Sequence, residues 1–150
     1  MTKLAIIGGT GLDGIPDLVV IHREVFRTPY GEPSAPLTHG RIADNEVIFL
    51  PRHGPSHTIP PHRVNYRANL WALKQAGVDT IIGVAAVGGI TNEMAPGAII
   101  IPDQIIDYTY GRESTLFDTD LDQVTHIDFT YPYCERLRQQ LIDAGKQVID

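Results

Sequence analysis

The sequence predicts an α/β fold in which helices flank a mixed, mostly parallel sheet. Short apolar runs punctuated by glycine and proline recur along the chain, as expected of buried strands. Two other segments carry apolar residues at helical spacing. One of these helices lies between two of the runs, which provides the crossover that parallel strands require.

Five segments have the composition of strands. They are residues 3–7, 18–25, 46–51, 80–87 and 98–106. Residues 146–150 resemble the start of a further strand, so we expect the fold to be incomplete at the C-terminus. A frayed tail is the alternative interpretation.

Two segments have the pattern of helices. The first covers residues 65–75 and precedes Gly77, which stands where a C-terminal cap is expected. The residues expected near one face of this helix are Tyr66, Leu70, Leu73 and Ala76. The second covers about 133–144, after Pro132 and before Gly145.

Composition narrows the class of protein. A chain of 150 residues, 43% apolar and 20% charged, is typical of one soluble globular domain. The single cysteine, Cys134, excludes an internal disulfide framework, and the net charge of −6 argues against a nucleic-acid surface. The apolar runs are too short to cross a membrane, and the start of the chain lacks the pattern of a secretory signal. We therefore expect a cytoplasmic protein that binds neither membranes nor nucleic acids.

A glycine-rich turn, Gly8-Gly9-Thr10-Gly11, follows the first strand. Successive glycines let backbone N–H groups approach an anion, and the threonine hydroxyl adds a donor. The spacing of Gly9, Gly11 and Gly14 also fits the dinucleotide fingerprint of a NAD-dependent oxidoreductase. That fingerprint requires a helix after the glycines, and Pro16 followed by β-branched residues leaves little room for one. A tight turn without a ligand is the third interpretation.

A second motif, Arg52-His53-Gly54-Pro55-Ser56-His57, follows the third predicted strand. The forked donors of an arginine suit phosphate oxygens, and the adjacent histidine adds another donor. The proximity of His53, His57 and His62 raises zinc as an alternative, but the prolines make this segment an extended loop. Surface histidines in a loop remain the simplest alternative.

The third motif, residues 85–90, places small residues at the end of the fourth predicted strand. Ligands of α/β sheets bind outside the carboxyl ends of parallel strands, so this loop is expected to face the other two motifs. Packing of small residues beneath a helix is an equal alternative.

Taken together, the chain resembles the methylthioadenosine phosphorylase branch of the trimeric purine nucleoside phosphorylases, from Leu4 to its last residues. The segments that carry the resemblance are residues 6–13, 28–31, 52–54 and 64–74. Residues 125–128 and 131–133 are closer to the bacterial methylthioinosine phosphorylases. The resemblance implies that residues 1–150 are the N-terminal portion of a single phosphorylase domain.

The resemblance implies phosphorolysis of S-methyl-5'-thioinosine or S-methyl-5'-thioadenosine in purine salvage. The products are a free purine and 5-methylthioribose 1-phosphate. Thr10, Arg52, His53 and the backbone of Ala86 would bind phosphate, and His57 would lie near the ribose. His126 would reach the 5'-substituent pocket of a neighbouring subunit in a homotrimer. Phosphate is a co-substrate, and we expect neither a cofactor nor metal ligands.

Two departures from the family pattern bear on activity. Ala85 stands where relatives present Thr or Asn, which removes a phosphate donor. Relatives also continue beyond the region matched here, and that part supplies the base-binding aspartate, so no residue of this chain is assigned to leaving-group activation. We expect the 150-residue chain alone to bind phosphate weakly and to turn over little or nothing. A non-catalytic remnant is therefore the main alternative, and a nucleosidase that uses water is disfavoured by Arg52 and His53. The choice between 6-oxo and 6-amino purines stays open.

Overall fold

The computed structural model describes residues 3–12 and 14–148. These residues form two compact units. The first unit comprises the described residues up to Val87 together with Arg112–Leu116, and the second comprises Gly88–Gly111 and the described residues from Phe117 onward. The assignment of the chain to one portion of a single domain stays a prediction.

The first unit contains a five-stranded sheet and one α-helix among its described residues. They are β1 (Leu4–Gly8), β2 (Val19–Glu24), β3 (Leu37–Ile42), β4 (Asn45–Pro51), α1 (Tyr66–Gln75) and β5 (Thr80–Gly83). The strand order is β2-β3-β4-β1-β5. β1 pairs in parallel with β4 and β5, whereas β3 pairs antiparallel with β2 and β4. Four of these five strands therefore run in one direction, which confirms a mixed, mostly parallel sheet.

The core of the first unit lies between the sheet and α1. Its buried residues are Ala5, Leu37, Ile48, Leu50, Ala72, Leu73 and Val78. The helix joins β4 to β5, and these two strands lie on either side of β1. The predicted crossover is therefore confirmed, and it places β1 at the centre of the parallel part.

Both ends of α1 are capped, and the C-terminal cap is the predicted Gly77. The Asn65 side chain accepts a hydrogen bond from the N–H of Ala68 at 3.0 Å. At the other end Gly77 adopts φ +80°, and the N–H groups of Gly77 and Val78 donate to the carbonyls of Lys74 and Leu73. Two carbonyls left over by the helix are thereby satisfied, as in the Schellman motif.

The buried face of α1 overlaps the predicted one only in part, at Leu73 and at the partly buried Ala76. Its buried residues are Ala68, Asn69, Ala72 and Leu73. Tyr66 and Leu70 are 37% and 40% exposed. The helix therefore packs through Leu73 and small residues, and the large side chains of Tyr66 and Leu70 stay partly exposed.

Strand β3 was absent from the sequence prediction. Its sequence, Leu-Thr-His-Gly-Arg-Ile, is largely polar, and Gly40 has a weak preference for strands. The strand forms because a two-residue turn after Ile42 returns the chain to β4, with Ala43 at φ +50°. Pairing with β2 and β4, rather than apolar content, defines this strand.

The second unit contains helix α2 (Glu135–Val148). The predicted helix of about 133–144 is confirmed, but Gly145 lies inside it rather than beyond its end. The prediction of a strand over 146–150 is wrong for residues 146–148, which are helical; residues 149 and 150 lie outside the described part. A single glycine costs a helix about 1 kcal/mol relative to alanine, too little to stop one.

Two predicted strands differ from the structure. Strand β5 ends at Gly83 rather than at residue 87, and residues 98–106 form no strand. Ile99 and Ile106 in this segment are 67% and 76% exposed. A strand requires a neighbour that accepts and donates its backbone hydrogen bonds, and within the described residues this segment has none.

No helix in the described part of the chain combines the length and the apolar composition that crossing a membrane requires.

Candidate active site

The parallel strands β4, β1 and β5 bring three loops to the same end of the sheet, the end at which these strands terminate. Their carboxyl ends are Pro51, Gly8 and Gly83. Backbone hydrogen bonds continue past these ends, from Arg52 N to Gly8 O at 3.1 Å and from Val84 N to Ile7 O at 2.9 Å. The loops after the strands therefore start from fixed positions, where α/β sheets commonly bind ligands.

Arg52 is held against the glycine-rich turn. A Cβ atom at Gly9 would lie 2.0 Å from Nη2 and 2.4 Å from Nη1 of Arg52, so the guanidinium rests on the bare backbone of this glycine. Nη1 also donates to the carbonyl of Val84 at 2.6 Å. The guanidinium thus links the loops after β1, β4 and β5, and its planar set of five donors can present further N–H groups to an anion.

Two histidines and a threonine lie beside this arginine in the same unit. Thr10 Oγ1 is 3.4 Å from His57 Nε2, and the rings of His53 and His57 have centroids 4.8 Å apart. His53 is only 7% exposed, and its Nδ1 lies 2.8 Å from the carbonyl oxygen of Ile59. Because a carbonyl only accepts, Nδ1 carries the hydrogen, and Nε2 can donate to phosphate only when the ring is protonated.

The loop of residues 52–59 owes its shape to unusual backbone conformations. Gly54 and His57 have φ of +79° and +53°, in the left-handed region. Gly54 N donates to Pro51 O at 3.0 Å, and Ile59 N donates to His53 O at 2.9 Å. This folded loop, rather than the extended one predicted from its prolines, turns the two histidine rings toward each other.

The structure thus brings Thr10, Arg52, His53 and His57 together. Ala86 is exposed and follows Val84 in the loop after β5. Their roles toward phosphate and ribose stay predictions.

His126 lies in the second unit and is exposed. Two residues later, Asp128 accepts a hydrogen bond from the N–H of Thr130 at 2.9 Å. Hydrogen bonds from the side chain and the backbone of Thr130 lower the pKa of Asp128. The assignment of His126 to a 5'-substituent pocket stays a prediction.

Neither the zinc site nor the dinucleotide site considered for these motifs gains support. Among the described residues, His53, His57 and His62 do not come together as a three-ligand metal site. The described residues between Gly9 and Val19 form no helix, which a dinucleotide site would require.

The sequence does not predict how segments 28–31 and 64–74, which carry the family resemblance, pack together. Asn65 Nδ2 donates to Tyr30 O at 2.7 Å, and the rings of Tyr30 and Trp71 meet edge to face at 5.7 Å. The guanidinium of Arg67 lies 4.9 Å from the Tyr30 ring centroid and forms an ion pair with Glu113. These residues support the scaffold of the first unit rather than the loops that carry Thr10 and Arg52.

A buried amide also ties α1 to the segment before β3. Asn69 is 2% exposed; its Oδ1 accepts from Ser34 N at 2.7 Å and its Nδ2 donates to Ser34 Oγ at 2.9 Å. Polar residues in helical spacing are usually expected on the solvent side, so the pattern alone gives no sign of this pair.

The fold and the cluster of Thr10, Arg52, His53 and His57 occur in a chain that matches one known superfamily. The sequence model of the phosphorylase superfamily matches residues 3–149. The match covers nearly the whole chain, and the chain belongs to this superfamily.

Particular relatives narrow the comparison. The chain is 53% identical to a protein of Pseudomonas syringae pv. tomato named probable S-methyl-5'-thioinosine phosphorylase, covering 96% of this chain and 58% of the relative. It is 45% identical to a 6-oxopurine nucleoside phosphorylase of Pyrococcus furiosus, covering 99% and 57%. The structure of methylthioadenosine phosphorylase from Schistosoma mansoni in complex with adenine superposes with a TM-score of 0.92 at 39% identity, covering 98% of this chain and 54% of that one. The chain thus spans little more than half the length of these relatives.

Proposed function

We propose that this chain is the phosphate-binding part of a purine nucleoside phosphorylase that acts on S-methyl-5'-thioinosine or S-methyl-5'-thioadenosine. In this reaction a phosphate oxygen forms a bond to C1' of the ribose while the bond from C1' to the purine nitrogen breaks. The products are a free purine and 5-methylthioribose 1-phosphate. The observation that carries the proposal is the guanidinium of Arg52 fixed between the loops that follow β1, β4 and β5.

In this proposal the phosphate is held by Thr10, Arg52, His53 and the backbone of Ala86. The transition state has the character of an oxocarbenium ion, so a phosphate dianion held close to C1' both attacks and stabilises the positive charge. A protonated His53 would supply a donor from Nε2, because Nδ1 is already engaged with Ile59. The reaction needs no cofactor, since phosphate itself is the co-substrate.

The remaining assignments concern the nucleoside. His57 contacts Thr10 and the ring of His53, so a ribose near His57 would also lie near the phosphate. His126 would serve the 5'-substituent pocket of a neighbouring subunit, which requires the homotrimer. We place this enzyme in the cytoplasm and in purine salvage.

The testing experiment measures release of purine from methylthioinosine and methylthioadenosine by the purified chain, with and without phosphate. Circular dichroism first establishes that the sample is folded. Release of hypoxanthine or adenine only when phosphate is present would confirm phosphorolysis and identify the base. Equal release without phosphate would overturn the proposal in favour of a hydrolase.

Phosphate binding, measured by calorimetry, tests the site when turnover is absent. Arg52→Gln removes the guanidinium, and Arg63→Gln is a matched control because Arg63 is exposed in the short 3₁₀ turn Pro61–Arg63. Phosphate binding lost only in the Arg52 variant, without turnover, would favour a non-catalytic remnant that keeps the phosphate site. Equal phosphate binding by both variants and the wild type would refute the role of Arg52.

A further inference from the structure

A second cluster of chemically active side chains lies on the hairpin formed by β2 and β3. His22 and Glu24 are two residues apart on β2, and His39 is the direct partner of His22 across the pair. Residues two apart on a strand share a face, and so do directly opposed residues. The three side chains therefore project from the same face of the hairpin.

The distances within this cluster suit a shared ion. The rings of His22 and His39 stack with centroids 4.2 Å apart and planes 13° from parallel. Nε2 of His39 lies 3.0 Å from Oε2 of Glu24, and one ligand atom from each of the three residues falls within 4.8 Å of the others. Ligands about 2.0–2.2 Å from a tetrahedral zinc ion are about 3.4 Å apart, and the two stacked rings would have to rotate out of their parallel arrangement to direct their nitrogen lone pairs at one ion.

One atom of this cluster, Nε2 of His39, is incompletely satisfied within the protein. The side chain of His39 is 13% exposed, and its Nε2 is shielded from solvent without a hydrogen bond of good geometry, despite the nearby carboxylate of Glu24. Buried polar atoms in native proteins nearly always have a partner. A cation held by Nε2 of His39 in the plane of its ring would supply one.

The space beside the cluster is open enough for an ion and its water. A cavity of about 370 Å³ is lined by the three residues together with Lys3 and Glu46. The Nζ of Lys3 is engaged with the carbonyl of Ala76 at 2.6 Å, so this ammonium is held by a backbone group. Glu46 adds a second carboxylate to the lining.

We propose that His22, Glu24 and His39 form a binding site for a divalent transition-metal ion, with zinc the preferred occupant. Two imidazole nitrogens and one carboxylate oxygen are a donor set that zinc accepts, and the three leave a fourth position for water. The site joins β2 to β3 at the edge of the sheet opposite β5, so the ion would hold the hairpin in register. The inference is independent of the proposed function and departs from the sequence expectation of no metal ligands.

The test is equilibrium dialysis of the metal-free 150-residue chain against Zn²⁺, with Co²⁺ as a spectroscopic substitute. We expect one ion per chain and a visible Co²⁺ spectrum of low-coordinate nitrogen and oxygen ligation. His22→Ala and Glu24→Gln should each weaken binding by at least about tenfold, the lower end of what losing even an indirect supporting group costs. Zn²⁺ should also shift the urea midpoint upward, because a ligand bound only to the native state stabilises it.

His62→Ala is the matched control, because His62 is an exposed histidine outside the cluster. It should leave binding unchanged. Because His22 is exposed, its replacement by alanine should not impair folding, and the urea transition without metal checks this. Absence of stoichiometric binding would overturn the proposal, as would equal affinity in wild type and the His22 and Glu24 variants. Binding lost in His57→Ala but kept in His22→Ala would assign the ion to the other histidine cluster and also overturn it.

Discussion

Gly9→Ala is expected to damage phosphate binding while leaving the fold nearly as stable. The added Cβ would lie 2.0 Å from Nη2 of Arg52, whereas ordinary van der Waals contact begins at 3.4 Å. The guanidinium would have to retreat by about 1.4 Å, the difference between these two distances. It would then leave the carbonyl of Val84, which Nη1 now contacts at 2.6 Å.

The magnitude follows from the contacts at stake. A hydrogen bond to a charged group contributes about 1.5–3 kcal/mol, which corresponds to a loss of about tenfold to a hundredfold in phosphate affinity. Stability should change by about 1 kcal/mol or less. The displaced group is the end of a flexible side chain, and replacing glycine by alanine restricts the unfolded chain.

Calorimetric phosphate titration and urea unfolding of the two proteins measure these effects separately. Gly14→Ala is the matched control, because it lies in the same loop and its added Cβ would meet nothing within 4 Å. If the Gly9 variant bound phosphate as tightly as the wild type, the guanidinium would not be part of the phosphate site.

Three further substitutions test the core, the buried amide and the loop after β5. Leu73→Ala should lower the free energy of unfolding by about 2–5 kcal/mol in urea titration, because Leu73 is fully buried. Leu70→Ala should lower it much less, because Leu70 is 40% exposed. Equal losses in the two variants would contradict the packing of α1. Asn69→Ala should cost about 1–3 kcal/mol by the same measurement, because it leaves the buried N–H of Ser34 without an acceptor. Ser34→Ala keeps this backbone N–H, so Asn69→Ala should still destabilise the protein in the Ser34→Ala background, and no further loss there would contradict this cause. Ala85→Thr should strengthen phosphate binding about tenfold in calorimetry by restoring a hydroxyl donor, and unchanged affinity would show that position 85 does not face the phosphate.

Local signals in the sequence predicted most of the first unit. Apolar runs place β1, β2 and β4, and Gly77 marks the end of α1. These features depend on neighbours in sequence, so a single chain reveals them. Strand β3 and the exposed segment 98–106 show the limit: the first is a strand because of its partners, and the second is not one because it lacks them.

The candidate site was predictable in its residues but not in its geometry. Glycine spacing and the pair Arg52-His53 indicate an anion site from sequence alone. The contact of Arg52 with Gly9 and Val84 joins residues far apart in the chain, and only the order of the strands reveals it. The cross-strand pair of His22 and His39 could not be predicted, because β3 itself was not expected.

The central position of β1 has a consequence for how the chain folds during synthesis. Leu4 pairs with Val47 on one side and with Thr80 on the other, so β1, which precedes both partners in the chain, finds them only after they have left the ribosome. Contacts of such separation slow folding and leave apolar strand edges exposed in the meantime. Until β5 is available, the nascent β1 can pair on one edge only. The contact of Arg52 with Gly9 and Val84 at its carboxyl end cannot yet form.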